Sequence, residues 1–213
     1  MCSWPGYYPS TKDGDISPLR QALIAQRVIP VLRLASAELT ERAIECLHEA
    51  GFGIVEITMT TPGAIELLKK TQNAGAGTVL DLDTAKRCID AGAKFLVSPC
   101  LVPGMAKLAH DAGRLALIGG YTPGEILAAH REGADIVKVF PAATAGPAHL
   151  RAMRAVFPHI ALCPTGGLTL ENFRDYLSAG AELVGIGNDM IDTTALAAGD
   201  RARVVRQARR FLH

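Results

Sequence analysis

Short apolar or β-branched runs alternate with longer stretches of helical apolar spacing from residue 28 to the end of the chain. The alternation repeats roughly every 20 to 25 residues, which is typical of βα units around a parallel sheet. The predicted strands span residues 28–33, 53–58, 74–79, 94–98, 114–118, 135–140, 159–164 and 182–187.

Glycine ends four of the helical stretches, at Gly51, Gly92, Gly133 and Gly180. Each glycine fits a left-handed helix cap. Thr122-Pro123 is typical of a helix start, and Thr169 is predicted to begin the helix that follows the seventh strand. A final helix is expected over 201–213.

Eight strands that are each followed by a helix favour a (β/α)₈ TIM barrel, a closed parallel sheet, over an open doubly wound sheet. An open sheet usually carries GxGxxG after its first strand, whereas this chain has LRLASAEL. We expect a single domain over 1–213, with an irregular segment at 1–16 and a helix at 17–27 that covers the barrel bottom. The third helix must be short, because few residues separate Pro62 from the third strand.

The charge of the chain is balanced, with 22 Lys and Arg against 21 Asp and Glu among 213 residues. This balance provides no basic field for nucleic acid, so we expect no nucleic-acid partner. Because 49% of the residues are hydrophobic, the chain can bury a large core.

Cysteine and histidine spacing gives no sign of a metal site. The five cysteines contain no CxxC pair and the six histidines no HxxxH pair, so we expect reduced thiols, no metal and no cofactor. The N-terminus lacks the apolar core of a signal peptide, and no run approaches the roughly 18 apolar residues of a membrane span. The sequence therefore predicts a cytoplasmic protein without a membrane partner.

Two opposite charges lie inside apolar strands, Lys138 in IVKVF and Glu56 in IVEIT. Burial disfavours the charged form of a lysine, and the neutral amine is a nucleophile. Because a lone buried carboxylate is costly, both side chains are predicted to meet at the barrel mouth, the C-terminal ends of the strands. Their pairing as a buried structural salt bridge is the alternative.

Glycines follow the last two strands, in PTGG at 164–167 and GIGND at 185–189. Backbone N–H groups in these loops commonly bind phosphate in (β/α)₈ enzymes, although a tight turn alone would also explain them. Arg33, Thr78 and Pro99 stand at other strand ends, where Arg33 would bind an anionic group or form a rim ion pair. Cys100 and Cys163 are interpreted as small hydrophobic residues.

These motifs, in this order, resemble the 2-keto-3-deoxy-6-phosphogluconate and 4-hydroxy-2-oxoglutarate aldolase family. The resemblance covers residues 28–190 and rests on IPVLR, VEITMTTPGA, GAGTVL, GAKFLVSP, YTPGE, VKVFPA, ATAGPAHLRAM, CPTGGLTLENFRDYL and VGIGND. It implies that Lys138 forms a Schiff base with the substrate and that Glu56 transfers protons. It also places the pyruvate carboxylate near Thr78 and adds Pro99 and Phe140 to the substrate-binding residues.

The resemblance further implies a phosphate on Gly166, Gly167, Gly187 and Asn188, with Arg33 near an anionic end of the substrate. The chain departs from the family pattern at several places. Thr60 stands where some members carry arginine, Ile118 replaces a proline, Asn188 replaces a serine, and the segment before GAGTV is short.

The expected activity is therefore cleavage of a phosphorylated 2-keto-3-deoxy sugar acid, or of 4-hydroxy-2-oxoglutarate, to pyruvate and an aldehyde by a homotrimer. Two alternatives remain from the sequence: a phosphosugar epimerase or isomerase on the same barrel, and a non-catalytic barrel that binds a phosphorylated metabolite.

Overall fold

All eight predicted strands are present in the computed structural model, which describes residues 18–212. They are β1 (Val28–Leu32), β2 (Val55–Thr58), β3 (Ala74–Gly77), β4 (Phe95–Val97), β5 (Leu115–Gly120), β6 (Ile136–Val139), β7 (Leu162–Pro164) and β8 (Val184–Ile186). Hydrogen-bonded neighbours follow the order β7-β6-β5-β4-β3-β2-β1-β8 in parallel, and a bridge from Thr165 to Gly185 joins β7 to β8. The predicted (β/α)₈ barrel is confirmed.

Helices precede, connect and follow the strands of the barrel. They are α1 (Pro18–Gln26), α2 (Ala37–Ala50), α3 (Ala64–Lys70), α4 (Leu82–Asp90), α5 (Met105–Asp111), α6 (Pro123–Arg131), α7 (Gly146–Val156), α8 (Phe173–Ser178), α9 (Thr193–Ala198) and α10 (Arg201–Arg209). Short 3₁₀ turns span Ala142–Thr144 and Asn188–Met190. The predicted irregular segment 1–16, Ser17 of the predicted first helix and His213 lie outside the described residues.

The helix ends mostly follow the predicted caps. The four glycines at 51, 92, 133 and 180 have φ between +97° and +112°, as expected for left-handed caps. Thr122 forms a capping box with Glu125 at the start of α6. The predicted start at Thr169 is wrong, because the Asn172 side chain accepts a hydrogen bond from the Thr169 N–H at 2.8 Å, which makes a turn ahead of α8.

The third βα unit is as short as its sequence predicted. Helix α3 has seven residues, and Asn73 adopts a φ of +56° immediately before β3 begins. At the other end, β3 stops before Thr78, because a φ of +60° at Thr78 is left-handed and cannot continue a strand.

Two apolar cores divide the strand residues by alternation. The inner core fills the barrel and consists of Leu23, Ile29, Ile54, Phe95, Val97, Leu115, Leu117, Ile136, Cys163 and Leu183. The outer core lies between the sheet and the helices and includes Val55, Ile57, Ile118, Val137 and Val139. Ile118, one of the departures from the family pattern, therefore packs outside the barrel and does not line its interior.

Helix α1 closes the barrel bottom. Its Leu23 is fully buried in the inner core. The Gln26 side chain donates hydrogen bonds to the carbonyls of Val28 and Ile54 and accepts one from the Ile54 N–H, at 2.8 to 2.9 Å. Because these contacts hold α1 across β1 and the segment before β2, the only open end of the barrel in the described chain is the mouth.

Candidate active site

The charged residues Glu56 and Lys138 both point into the barrel, because side chains alternate between the two faces of a strand. Ile54 and Ile136 belong to the inner core, and each lies two positions before one of the charged residues. Because every second residue of a barrel strand faces the interior, Glu56 on β2 and Lys138 on β6 point inward, toward the mouth.

The two charged side chains meet, as the sequence predicted. Lys138 Nζ lies 3.7 Å from Glu56 Oε1, and the side chains are 7% and 4% exposed. No hydrogen-bond partner for Glu56 Oε1 is found within residues 18–212. The pair is thus an ion pair without a direct hydrogen bond, and an acceptor oxygen faces the barrel interior with unused capacity.

Gly77 of the neighbouring strand β3 leaves the space that the Glu56 side chain occupies. A Cβ on Gly77 of β3 would lie 2.0 Å from Glu56 Oε1 and 2.6 Å from its Cδ. No side chain at position 77 is compatible with this carboxylate position, so the glycine of GAGT serves to admit Glu56.

Phe140 and Cys163 complete the surroundings of the lysine. Lys138 Nζ lies 5.6 Å from the centre of the Phe140 ring, which is 37% exposed at the mouth. Cys163 is the register partner of Lys138 on β7, and burial raises the pKa of its thiol to about 12. Cys163 is therefore a neutral, buried thiol, whereas Cys100 is exposed rather than packed in a core.

Pro99 approaches the lysine through its backbone. Gly119 is the register partner of Lys138 on β5, and a Cβ on Gly119 would lie 2.1 Å from the Pro99 carbonyl carbon. The chain after β4 therefore covers β5 next to Lys138.

Arg33 and Thr78 contact each other across the end of β2. Arg33 Nη2 donates to Thr78 Oγ1 at 3.3 Å. Thr60, at the position of the missing arginine, lies between them in strand order, and its hydroxyl is 3.0 Å from that of buried Thr58. This contact between Arg33 and Thr78 was not predicted, because it joins residues from two strands that do not pair.

The loop after β7 has the shape expected of its glycines. Gly166 and Gly167 have φ of +93° and +76°. A Cβ on Gly166 would lie 2.9 Å from the Phe140 ring, and one on Gly167 would lie 2.4 Å from the Ala143 Cβ. Both glycines are therefore required by backbone conformation and packing alone, whether or not the loop binds an anion.

Asn188 lies elsewhere on the rim. It is exposed at the start of the 3₁₀ turn that follows Gly187. With Arg33 it lines a cavity of about 280 Å³ whose other walls are Leu34, Ala35, Leu39, Thr193 and Leu196. Neither Gly166 nor Gly167 lines this cavity, which Asn188 shares with Arg33.

The described part of the chain contains neither a metal-ligand cluster nor a membrane-spanning helix. Within residues 18–212, no three His, Cys, Asp or Glu residues come together as a set that could hold a metal ion. None of the helices in that range is both long and apolar enough to span a membrane.

A sequence model described as "Aldolase: KDPG and KHG aldolase" matches residues 19–207. The chain belongs to this aldolase family. Its relatives are lyases, and this aldolase is therefore a lyase of the same type. The resemblance drawn from the motifs is confirmed.

Individual relatives agree with this assignment. The aldolase is 35% identical over 193 residues to the probable 2-dehydro-3-deoxy-6-phosphogalactonate aldolase of Rhizobium meliloti, covering 87% of this chain and 88% of that protein. It is 34% identical to the 2-dehydro-3-deoxy-phosphogluconate aldolase of Pseudomonas aeruginosa, with 87% and 88% covered. The KDPG aldolase of Legionella pneumophila, solved with pyruvate captured as a covalent carbinolamine, superposes with a TM-score of 0.83 at 27% identity, covering 92% and 98%.

Proposed function

We propose that this aldolase uses a Schiff base on Lys138 to cleave a 2-keto acid into pyruvate and an aldehyde. The observation that carries the proposal is the buried contact of Lys138 Nζ with Glu56 Oε1 at 3.7 Å. It brings a nucleophile and an acid/base group together in an interior that α1 closes from below. The carbinolamine in the Legionella structure supports it, since a carbinolamine forms when an amine adds to a carbonyl.

In the proposed mechanism, Lys138 transfers a proton to Glu56, and the neutral amine attacks the C2 carbonyl to give a carbinolamine. Glu56 returns this proton to the departing hydroxyl group, which leaves as water, and an iminium ion and the Glu56 carboxylate remain. Glu56 then removes the proton of the C4 hydroxyl, the C3–C4 bond breaks, and its electron pair moves into the iminium to give an enamine. The aldehyde departs. Glu56 returns its proton to C3, and addition of water to the resulting iminium releases pyruvate and regenerates Lys138.

Glu56 is suited to this double role by its free oxygen. A carboxylate whose oxygens are all hydrogen-bonded would have to break a contact before accepting a proton, whereas Glu56 Oε1 has unused acceptor capacity. In this scheme the iminium acts as the electron sink.

The substrate is proposed to be a phosphorylated 2-keto-3-deoxy sugar acid or 4-hydroxy-2-oxoglutarate. The relatives named above act on galactonate- and gluconate-derived acids by their names, and their identities to this chain are nearly equal. We propose Gly166, Gly167, Gly187 and Asn188 for the distal anion, supported by the positive φ of the first two and the exposure of the last. A panel of these keto acids with coupled detection of pyruvate would identify the substrate.

Schiff-base formation is tested by reduction with borohydride in the presence of pyruvate, followed by peptide mapping. The expected adduct lies on the peptide of Lys138. Lys138→Ala should abolish both the adduct and turnover, whereas Glu56→Gln should still form the adduct slowly and lose roughly 10²- to 10⁴-fold in cleavage rate.

Arg206→Gln is the control, because Arg206 is exposed on α10 at the outside of the barrel. It should behave as the wild type. An adduct on Lys94 or Lys107, or near-native activity of Lys138→Ala, would overturn the proposal; an active protein without any adduct would instead favour an epimerase or isomerase.

We also propose that the aldolase is cytoplasmic, and that it is a homotrimer as its family resemblance implies. An apolar surface supports association: Leu80 before α4, Leu82 at the start of α4 and Leu101 after β4 are 56%, 44% and 39% exposed, and Leu82 packs near Gly104. Sedimentation velocity measures the oligomeric state directly.

A further inference from the structure

Cys163 stands beside Lys138 in the interior of the barrel. The two residues are register partners on β7 and β6, and Cys163 belongs to the inner core. Because register partners on neighbouring parallel strands point to the same face of the sheet, the thiol lies next to the inward lysine side chain. Cys163 is 2% exposed, so its sulfur lines the site without reaching solvent.

The Lys138 amine has few polar neighbours. Within residues 18–212, its Nζ takes part in no hydrogen bond, and its contacts are Glu56 Oε1 at 3.7 Å and the Phe140 ring centre at 5.6 Å. On the β5 side its register partner is Gly119, which has no side chain. Cys163 forms the β7 side. The titratable groups that face Lys138 from the surrounding strands are therefore Glu56 and Cys163.

The other inward positions near the mouth are uncharged. Strand alternation gives these positions as Val31, Thr58, Gly77, Val97, Thr165 and Gly185. Beyond the end of β1, Arg33 is exposed at the rim, where its guanidinium donates to Thr78. The protonation of Lys138 thus depends mainly on Glu56 and on the atom that position 163 places beside Nζ.

A sulfur atom in this place offers the ammonium little to bind. Sulfur is a weak hydrogen-bond acceptor, whereas a hydroxyl oxygen is a strong one. A strong acceptor beside a buried ammonium stabilises its charged form, and the charged form is not a nucleophile. Because Lys138 in the proposed function gives its proton to Glu56 before it attacks the substrate, an added acceptor would oppose that transfer.

The thiol also keeps its own proton. Cys163 Sγ lies 3.7 Å from Thr165 Oγ1, and that hydroxyl donates to the Cys163 carbonyl oxygen at 3.4 Å. Because a hydroxyl has one hydrogen, the thiol is the donor in its contact with Thr165 Oγ1. Burial raises the pKa of the thiol to about 12. Cys163 therefore does not compete with Glu56 for the proton of Lys138.

We propose that Cys163 is a positioning residue that acts through Lys138: it fills the β7 side of the amine with an atom too weak as an acceptor to hold the lysine proton. The proton then passes to Glu56, and the free amine attacks the keto acid. The inference rests on the proposed function and adds to it a residue whose side chain takes no covalent part in the reaction.

Exchange of the sulfur for oxygen tests this role. Cys163→Ser places a strong acceptor beside Nζ, and Cys163→Ala removes the sulfur without adding one. The experiment measures initial rates of cyanoborohydride trapping of pyruvate on Lys138 from about pH 6 to about pH 10. Each variant's rate is divided by the wild-type rate at the same pH, which cancels the pH dependence of the reagent.

The expected ratio for Cys163→Ser is roughly 0.1 near pH 7, as for a hydrogen bond to a charged group, and it should rise toward 1 at the alkaline end. It rises because the lysine proton is lost there in both proteins. Cys163→Ala should instead keep one ratio over the whole range, whatever its size, since a loss of packing does not depend on pH.

Cys46→Ser is the matched control, because Cys46 is also 2% exposed but lies in the outer core. Its ratio should stay near 1 at every pH. Cys163→Thr carries the same hydroxyl on a β-branched side chain that favours strands, and it should repeat the rising ratio. This variant covers the case in which thermal unfolding shows that Cys163→Ser does not fold.

A ratio for the hydroxyl variants that does not change with pH would overturn the inference and leave the Schiff base intact. A ratio for Cys163→Ala that rises with pH in the same way would also contradict it, because alanine adds no acceptor. Failure of the wild type to form any adduct on Lys138 would overturn the proposed function and this inference together.

Discussion

Gly77 has no room for a side chain beside the Glu56 carboxylate. Gly77→Ala would place a methyl group 2.0 Å from Glu56 Oε1, so the carboxylate must move away from Lys138. We expect a loss of roughly 10²-fold or more in kcat, as for a misplaced acid/base group, with little change in the far-UV circular dichroism. Steady-state kinetics on purified variants measure this effect.

Substitutions of two other glycines serve as controls for Gly77→Ala. Gly53→Ala meets no atom within 4 Å and should behave as the wild type. Gly75→Ala would lie 2.2 Å from the Phe95 ring in the inner core and should lower the free energy of unfolding by about 1 to 3 kcal/mol, with kcat less affected than in Gly77→Ala. An active Gly77→Ala would mean that Glu56 works from a different position.

Single residues differ in how well the sequence predicts their roles. Lys138 and Glu56 are recognisable because each interrupts an apolar strand, and their contact follows from the inward alternation of β2 and β6. The contact of Arg33 with Thr78 is not recognisable, since it depends on side-chain conformations above a strand that separates them. Contacts between non-neighbouring strands have no periodic signature.

At the scale of elements, one ion pair ties α5 to the sheet. His110 Nε2 lies 2.9 Å from Asp135 Oδ2, and the same oxygen accepts from the Ala116 N–H at 2.8 Å. The hydrogen bond with Asp135 raises the pKa of His110 above its ordinary value of 6.5, against the opposing effect of burial. Protonated His110 therefore favours the folded state.

A raised folded pKa gives this contact a definite pH dependence. Its contribution to stability is complete below the pKa of the unfolded chain and is lost as pH rises through the folded pKa. We expect the Tm difference between the wild type and His110→Gln to be larger at about pH 5.5 than at about pH 8.5, by no more than about 3 °C. The expected change in the Tm difference is small because the His110 side chain is 35% exposed, so water screens its ion pair with Asp135.

The matched control is Lys107→Gln on the same helix, which removes an exposed ion pair with Asp111 that contains no imidazole. Its Tm difference should stay constant over that range. A His110→Gln effect that grew with pH would show that the imidazole is neutral in the folded protein.

Element positions were predictable, and element ends were less so. Helix caps at Gly51 and at Thr122 follow local rules and were correct. The end of β3 depends on a left-handed Thr78, a conformation for which threonine gives no sequence signal. The start of α8 was misplaced because Asn172 uses its side chain in the preceding turn.

At the scale of the whole molecule, the contacts that stabilise the barrel and the reactive groups lie at opposite ends, the bottom and the mouth. Gln26 and Leu23 secure the bottom, whereas the mouth contains a buried ion pair with an unused hydrogen-bond acceptor. Removing two such charges from water costs more than a contact of 3.7 Å returns in most proteins. The site should therefore lower the stability of the fold.

Replacing both charges tests this expectation. Glu56→Leu/Lys138→Met should raise the free energy of unfolding by about 1 to 4 kcal/mol in urea titrations, while activity is lost. Lys138→Met alone should be less stable than the wild type, because it leaves Glu56 buried without a countercharge. A double variant less stable than either single variant would mean that the pair itself stabilises the fold.

The buried pair of Glu56 and Lys138 thus has an evolutionary consequence. A lineage of this chain selected only for survival at high temperature would drift toward apolar residues at positions 56 and 138 and become catalytically dead. Persistence of both charges in a functioning lineage requires continued selection for turnover, and any gain in heat tolerance has to come from the barrel bottom and the helices around it.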